Sequence, residues 1–419
     1  MIIYITTETS VSSKRFITIL EGKRTMRVPG STSLMRAFYR RAIRPSGIRL
    51  LSGPLSNRLI SRSDLRNPSS DMREVCFNYD STEHIEREQP QGTERIHPAF
   101  RSEVGTEIKP TPFVRELSDI ELTGRWGLAI TGKNRYVVEE AEGSVRRLVD
   151  TITRTSIDRQ VPLHVGVENE ISKPSVSMVG RFSTEYFHWF SDYLPRLIGM
   201  EGYEARTGRE PELLIPDEAP QWLRQSLRWV GPSSARWRTW EGGRKHVKTL
   251  VIPSLRKAGY DDTCEGWGFV SPTALRWVRE RMMDGAKAEH ASTERIYISR
   301  ADADLRQVTN ESAVMSHLSN KGFERYVLSE MTMKEQVDLF SSAELVVAPH
   351  GAGLINMIYG DHISVVELFG DNVHPCYYAI AAGFGFEYRY LLCEPVGKSM
   401  RVDVERLDEV VSEAIRSLR

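Results

Sequence analysis

The chain has 419 residues, 40% hydrophobic and 27% charged, enough for two domains and ordinary for a soluble globular protein. No apolar run reaches the roughly 18 residues that span a bilayer, and the first residues show no signal-peptide pattern. Cys76, Cys264, Cys376 and Cys393 lack the spacing of a zinc site or a disulfide framework, which points to a reducing compartment and a cytoplasmic protein.

Zero net charge conceals a segregation. Residues 1–66 hold 13 Lys and Arg against 3 Asp and Glu, and the remainder holds 43 against 53. The densest basic stretch, MRAFYRRAIRPSGIRLL, reads as a solvated arm. It also suits an anionic membrane surface, where each basic residue adds about 1 kcal/mol, so residues 14–66 are a site for peripheral contact at the inner face. Nucleic acid fits poorly, because aromatic residues are sparse there and no nucleic-acid motif follows.

From Asn67 to about Pro112 the chain is polar and broken by proline and glycine, so 1–112 reads as a basic segment with a linker. Regular patterning begins near Trp126. GLAITGKNRYVVEEA predicts two short strands around a Gly-Lys-Asn turn, VSMVG a strand, and EYFHWFSDYLPRLIGM a helix interrupted at Pro195. ELLIPDEAPQWLRQSLRWVG predicts strand, turn and helix. Four of the eight tryptophans, Trp222, Trp229, Trp237 and Trp240, cluster here and read as core, with a sugar-stacking surface as the alternative.

The second half alternates more regularly. TLVIPS is a strand and SPTALRWVRERMMDG a helix with Pro272 in its first turn. ERIYISR is a strand, and NESAVMSHLSNKGF a helix capped by Asn310. ERYVLSEM, TMKEQVDLFSSAE and LVVAP give strand, helix, strand. LINMIYG is a short helix, VVELF a strand, HPCYYAIAAGFG a helix, EYRYLL a strand, and VDVERLDEVVSEAIRSLR an amphipathic helix. Such alternation predicts an α/β fold with a doubly wound parallel sheet.

In such a sheet ligands sit beyond the carboxyl ends of the strands. His350-Gly351-Ala352-Gly353 lies at one of these ends and opens a helix. Unpaired N–H groups and closely approachable glycines there suit a phosphate, and a histidine can donate to it. A tight strand-to-helix turn with a surface histidine explains the same spacing, and spacing alone leaves both open. His188 and Asp192, four apart, share a helical face. An Asp held by a neighbouring His can take a proton from a hydroxyl, and a structural His–Asp bond fits equally.

His188-x-x-x-Asp192-x-x-Pro195-Arg196, then YISRADADLRQVTNE, then VVAPHGAGLINMIY, resembles the family 61 glycosyltransferases, a group of capsular-polysaccharide enzymes and of xylosyl- and N-acetylglucosaminyltransferases. The resemblance spans roughly residues 120 to 400 and omits the basic segment. Glu185-Tyr186-Phe187 stands where many members carry Asn-Tyr-Tyr or similar.

The resemblance implies a GT-B architecture: two Rossmann-like domains facing a cleft, here an acceptor-side domain over 113–248 and a nucleotide-sugar domain over 249–419. It implies inverting transfer without a metal, from a nucleotide sugar (a UDP-sugar foremost) to a glycan or lipid-linked glycan in surface or capsular polysaccharide synthesis. Asp192 is then the base, oriented by His188. Arg300, Arg306, His350 and the Gly351, Ala352, Gly353 and Leu354 amides grip the diphosphate, and Glu367 takes the ribose hydroxyls. The bland alternatives are ion pairing of the arginines with Asp302 and Asp304, and a strand-end solvent carboxylate at Glu367. Asp302-Ala303-Asp304 also matches the D-x-D of metal-dependent transferases, but the flanking arginines compete for its oxygens, so no metal site is expected. Polysaccharide pyruvyl transfer and a non-catalytic scaffold of polysaccharide assembly are the competing functions.

Overall fold

The computed structural model describes residues 58–67, 75–91, 96–141, 143, 145–157, 169–257, 271–289 and 293–418, and the backbone of a small antiparallel sheet made by Ile5–Thr9, Arg15–Glu21 and Arg24–Pro29. Most of the proposed membrane-contacting arm, and Cys264, lie outside the described side chains. Its end does not. Arg62 donates to the carbonyls of Lys257 and Leu255, and Arg66 to that of Thr111, so these two cations serve the fold rather than a lipid surface.

The N-terminal half is a mixed sheet. Phe113–Thr123 runs antiparallel to Arg244–Pro253, which pairs parallel with Ser175–Ser177; Glu212–Pro216 and Trp237–Trp240 extend the parallel part. Helices make the crossovers, as parallel pairing requires. Gln221–Val230 shows why: Leu223, Ser226, Leu227 and Val230 recur at helical spacing and are buried, which leaves Gln221, Trp222, Gln225 and Trp229 on the other side. Leu128–Thr131 and Tyr136–Val137 form the anticipated hairpin, with Asn134 left-handed in its turn.

The C-terminal half is a five-stranded, wholly parallel sheet in the order Glu324–Tyr326, Arg295–Ile298, Leu345–Pro349, Ser364–Phe369, Glu387–Leu392. The chain leaves Arg295–Ile298 toward one edge and Leu345–Pro349 toward the other. A crevice therefore opens between the loops that follow these two strands.

Three expectations change. The stretch anticipated as linker is built in: Glu83–Arg87 pairs with Gly105–Lys109, and Phe100, fully buried, packs against Tyr378, Tyr388 and Tyr390 of the C-terminal half. Asn310 does not cap its helix. Its side chain instead donates to the carbonyl and accepts from the amide of Val402. The segment after His350 is a 3-10 helix, Ala352–Tyr359, because its apolar side chains are buried on nearly every side rather than on one stripe. One hydrophobic cluster runs through both halves, from Val176 and Trp189 to Ile296, Val346 and Tyr377. No helix among the described residues is long and apolar enough to cross a membrane.

Candidate active site

His188 and Asp192 come from a helix that changes pitch. Tyr186–His188 is α-helical, Trp189–Tyr193 a π-turn, and Arg196–Thr207 α-helical again. Pro195 explains the break: it has no N–H to give Ser191 and its ring would strike that carbonyl, so the turn widens. Trp189 anchors the turn, fully buried with its indole N–H on Ser226.

His188 Nδ1 lies 2.9 Å from Asp192 Oδ2, Ser191 donates to Asp192 Oδ1 at 2.7 Å, and the Lys257 ammonium contacts the same oxygen. Burial would raise the Asp192 carboxyl, but Lys257, with His188, holds it far below the ordinary carboxylate range. A carboxylate only accepts hydrogen bonds, so Nδ1 of His188 carries a hydrogen and Nε2 is the nitrogen left for other contacts. The His188 side chain is 21% exposed against 2% for Asp192. Asp192 is enclosed, saturated with donors and a poor proton acceptor; the imidazole is the group with access.

A parallel arrangement lies in the C-terminal half. His350, at the end of Leu345–Pro349, places Nδ1 2.5 Å from Glu367 Oε1, and Tyr388 donates to Glu367 Oε2. Glu367 is fully buried with both oxygens engaged, so it holds His350 and is not at hand for a ribose hydroxyl. The phenol of Tyr388 is pushed well up, by burial and then by Glu367, and remains protonated. Tyr377 donates to the Gly351 carbonyl at 2.6 Å and fixes the turn. Gly351 has an extended backbone any residue could adopt; what requires glycine is Arg300, whose Nη1 would lie 2.1 Å from an added Cβ.

Arg300 donates to the Leu305 carbonyl, and Arg306 is held in the left-handed region at φ 60° with its N–H on the Lys398 carbonyl. Among the described residues neither arginine has a carboxylate within ion-pair distance, Asp302 and Asp304 included. Burial and Arg306 lower the Arg300 guanidinium and Asp302 offsets them only in part, so an anion placed between the two arginines is favoured.

The two halves meet here. Phe187 packs edge-on against Tyr377 at 5.6 Å. His374, which no sequence motif singled out, lies with its ring 5.8 Å from that of His350. It is pushed down to about 4, first by burial and then by its neighbours His350, His188 and Arg306. The dyad of one half and the basic cluster of the other thus share an electrostatic environment. His350, His374 and Cys376 have potential ligand atoms within 4.8 Å of one another, but burial and Glu367 keep the Cys376 thiol protonated and Arg306 stands close by. Such surroundings suit an anion better than a metal ion.

Beside this cluster lies a cavity of about 830 Å³ between the halves. Tyr186, Trp222 and Trp229 form one wall, Leu328 to Met331 the other, and Gly353 and Asp302 border it. Trp240, by contrast, is core.

Residues 186–366 match the family model described as Glycosyltransferase 61. The match contains His188, Asp192, Lys257, Arg300, Arg306 and the His350 turn, and stops before Glu367 and His374. No curated protein matches the chain. With residues 186–366 similar to Glycosyltransferase 61, the chain is a glycosyltransferase.

Proposed function

We propose that the protein is an inverting, metal-independent transferase of the GT-B kind, moving a sugar from a nucleoside-diphosphate sugar to a hydroxyl of a glycan or lipid-linked glycan in surface polysaccharide synthesis. A UDP-sugar is the donor of first choice. The observation that carries this reading is the approach of the His188–Asp192 pair to Arg300 and Arg306, neither ion-paired with a carboxylate among the described residues, and to His350, held by Glu367.

Inversion is a single in-line displacement. The acceptor hydroxyl loses its proton to Nε2 of His188 as its oxygen bonds the anomeric carbon. The bond from that carbon to the phosphate oxygen breaks, and the departing diphosphate keeps the electron pair. Arg300 and Arg306 take up the growing charge with fixed donors, and His350, charged against Glu367, donates through Nε2. Imidazole is suited to the base role because its ordinary pKa lies near working pH. The nucleoside end of the donor fits the adjoining cavity, where Trp222, Trp229 and Tyr186 offer faces for stacking and the Leu328–Met331 loop offers backbone polar groups.

A transfer assay over UDP-, GDP- and CDP-sugars, paired with nucleotide binding, tests the reading. H188N is expected to lower kcat about 10²- to 10⁴-fold while the Kd of the nucleoside diphosphate stays within about twofold. Equal loss of binding and turnover would remove His188 from the role of base.

A further inference from the structure

The histidine–carboxylate pairs on the two sides of the crevice are built alike and finished differently. Each carboxylate sits on Nδ1 and leaves Nε2 without a hydrogen-bond partner among the described residues. On Glu367 the second oxygen receives a neutral phenol, Tyr388; on Asp192 it receives the ammonium of Lys257. Lys257 is 5% exposed, lies beyond the end of the strand Arg244–Pro253, and has its carbonyl held by Arg62 at 2.9 Å. A buried ion pair is weak evidence for stability, because desolvation offsets much of its attraction. The placement of this lysine therefore asks for another account.

We propose that Lys257 is a positioning residue that cancels the charge of Asp192, so that His188 stays an uncharged imidazole ready to accept the acceptor's proton, while Glu367, lacking such a partner, lets His350 carry charge toward the leaving group. This rests on the transfer reading above.

The physical basis is the sum of charges each ring meets. A lone carboxylate raises the proton affinity of an imidazole; a second cation on that carboxylate cancels the effect. Other titratable and charged groups stand around His188. Its ring stacks on Phe182 at 4.8 Å, with the Arg147 and Arg181 guanidiniums over the far ring at 4.9 and 4.8 Å, Arg181 being ion-paired with the buried Asp150. From the C-terminal half come His374 and, beyond it, His350 and Arg306. Arg306, and His350 when charged, disfavour a further positive charge on His188, and Asp192, already spent on Lys257, does not offset them. Environments that drive two similar groups apart assign one as acid and the other as base.

The profile of kcat against pH in K257M and K257R tests this. With Lys257 removed, Asp192 is neutralised by a proton on His188 instead, which blocks the base. The acid limb of K257M is expected about one to two pH units above that of the wild type. At pH 7 the loss is then about tenfold or more, recovering by pH 9, with K257R keeping the wild-type limb and the Kd of UDP within about twofold in both. A K257M profile lowered by one factor at every pH would overturn the proposal and leave the lysine a merely structural role. Where K257M does not fold, ¹⁵N-histidine NMR of the wild type decides, with H188N for assignment. A neutral ring protonated at Nδ1 at pH 7 supports the proposal, and an imidazolium sinks it. Absence of transfer by the wild type from every sugar nucleotide would instead remove the parent reading, and the NMR experiment would still report the charge state.

Discussion

The smallness of Gly351 makes room for the Arg300 guanidinium. Its backbone is extended, so alanine is conformationally acceptable, but the added methyl must displace the end of the flexible Arg300 side chain. G351A is therefore expected to raise the Kd of a nucleoside diphosphate about tenfold, the contribution of one charge-assisted contact, with the melting temperature almost unchanged. Calorimetric titration beside a thermal melt checks both halves of that statement. His374 makes the opposite kind of prediction. Its folded pKa, about 4, lies below the ordinary 6.5, so it holds its proton less tightly folded than unfolded. Stability from keeping it neutral is complete above pH 6.5 and is lost as pH falls toward 4, on the order of 3 kcal/mol. H374Q should flatten the drop in melting temperature between pH 7 and 5; an unchanged slope would mean that other groups carry it. At this scale the sequence was informative about neighbours and silent about distant partners. His188 with Asp192, and the His350 turn with its glycines, are local patterns. Lys257, Tyr388 and the use of Glu367 as a holder of His350 depend on strands brought together by the fold, and no spacing along the chain encodes them.

Asn310 shows an element boundary used as a clamp. The sequence places it where a helix cap belongs, yet its amide bridges both backbone groups of Val402, which ties the start of helix Glu311–Ser319 to the strand Ser399–Arg401. That neighbourhood also carries Lys398, whose carbonyl holds the amide of Arg306. N310A is expected to cost about 1–3 kcal/mol, since it leaves two backbone groups without partners. It should also weaken nucleotide binding, because the Arg306 loop loses its support; a loss of stability with unaltered binding would confine Asn310 to the fold. The parallel strands and amphipathic helices of the C-terminal half were legible because each has one period and one buried face. Two elements next to the site were not. The π-turn Trp189–Tyr193 follows from Pro195 acting back on Ser191, and the 3-10 helix after His350 is apolar all round, so neither displays the 3.6-residue stripe of an ordinary surface helix.

At the scale of the molecule, a crevice made from two halves functions only if the halves keep their relative position. Residues 83–109 supply the tie. Their hairpin belongs to the N-terminal side of the chain, yet Phe100 is inserted among Tyr378, Tyr388 and Tyr390, His97 donates its amide to the Tyr390 hydroxyl at 2.8 Å, and Gln91 donates its own to the Tyr388 carbonyl at 2.9 Å. Glu83, on the same hairpin, bonds Arg256, Ser271 and the amide of Thr273, where the N-terminal half hands over to the helix Pro272–Ala286. This stretch looked like a linker because it is polar and interrupted. A strap that crosses between two bodies spends most of its length at the surface and buries only isolated side chains, so it has no hydrophobic period to display. The tie and the shared hydrophobic cluster together predict one cooperative calorimetric transition for the described fold. F100A opens a cavity in the strap and should lower that transition as a unit, with a loss on the order of 3–5 kcal/mol. Two transitions, only one of which moved, would show halves that fold independently. Nucleotide binding is the complementary probe: on the proposed reading the donor touches Tyr186 and Trp222 on one side and the His350 turn on the other, so UDP should raise the single transition of the wild type. In F100A the same ligand must also restore the alignment of the halves, and its apparent affinity falls by the fraction of molecules in which that alignment is lost.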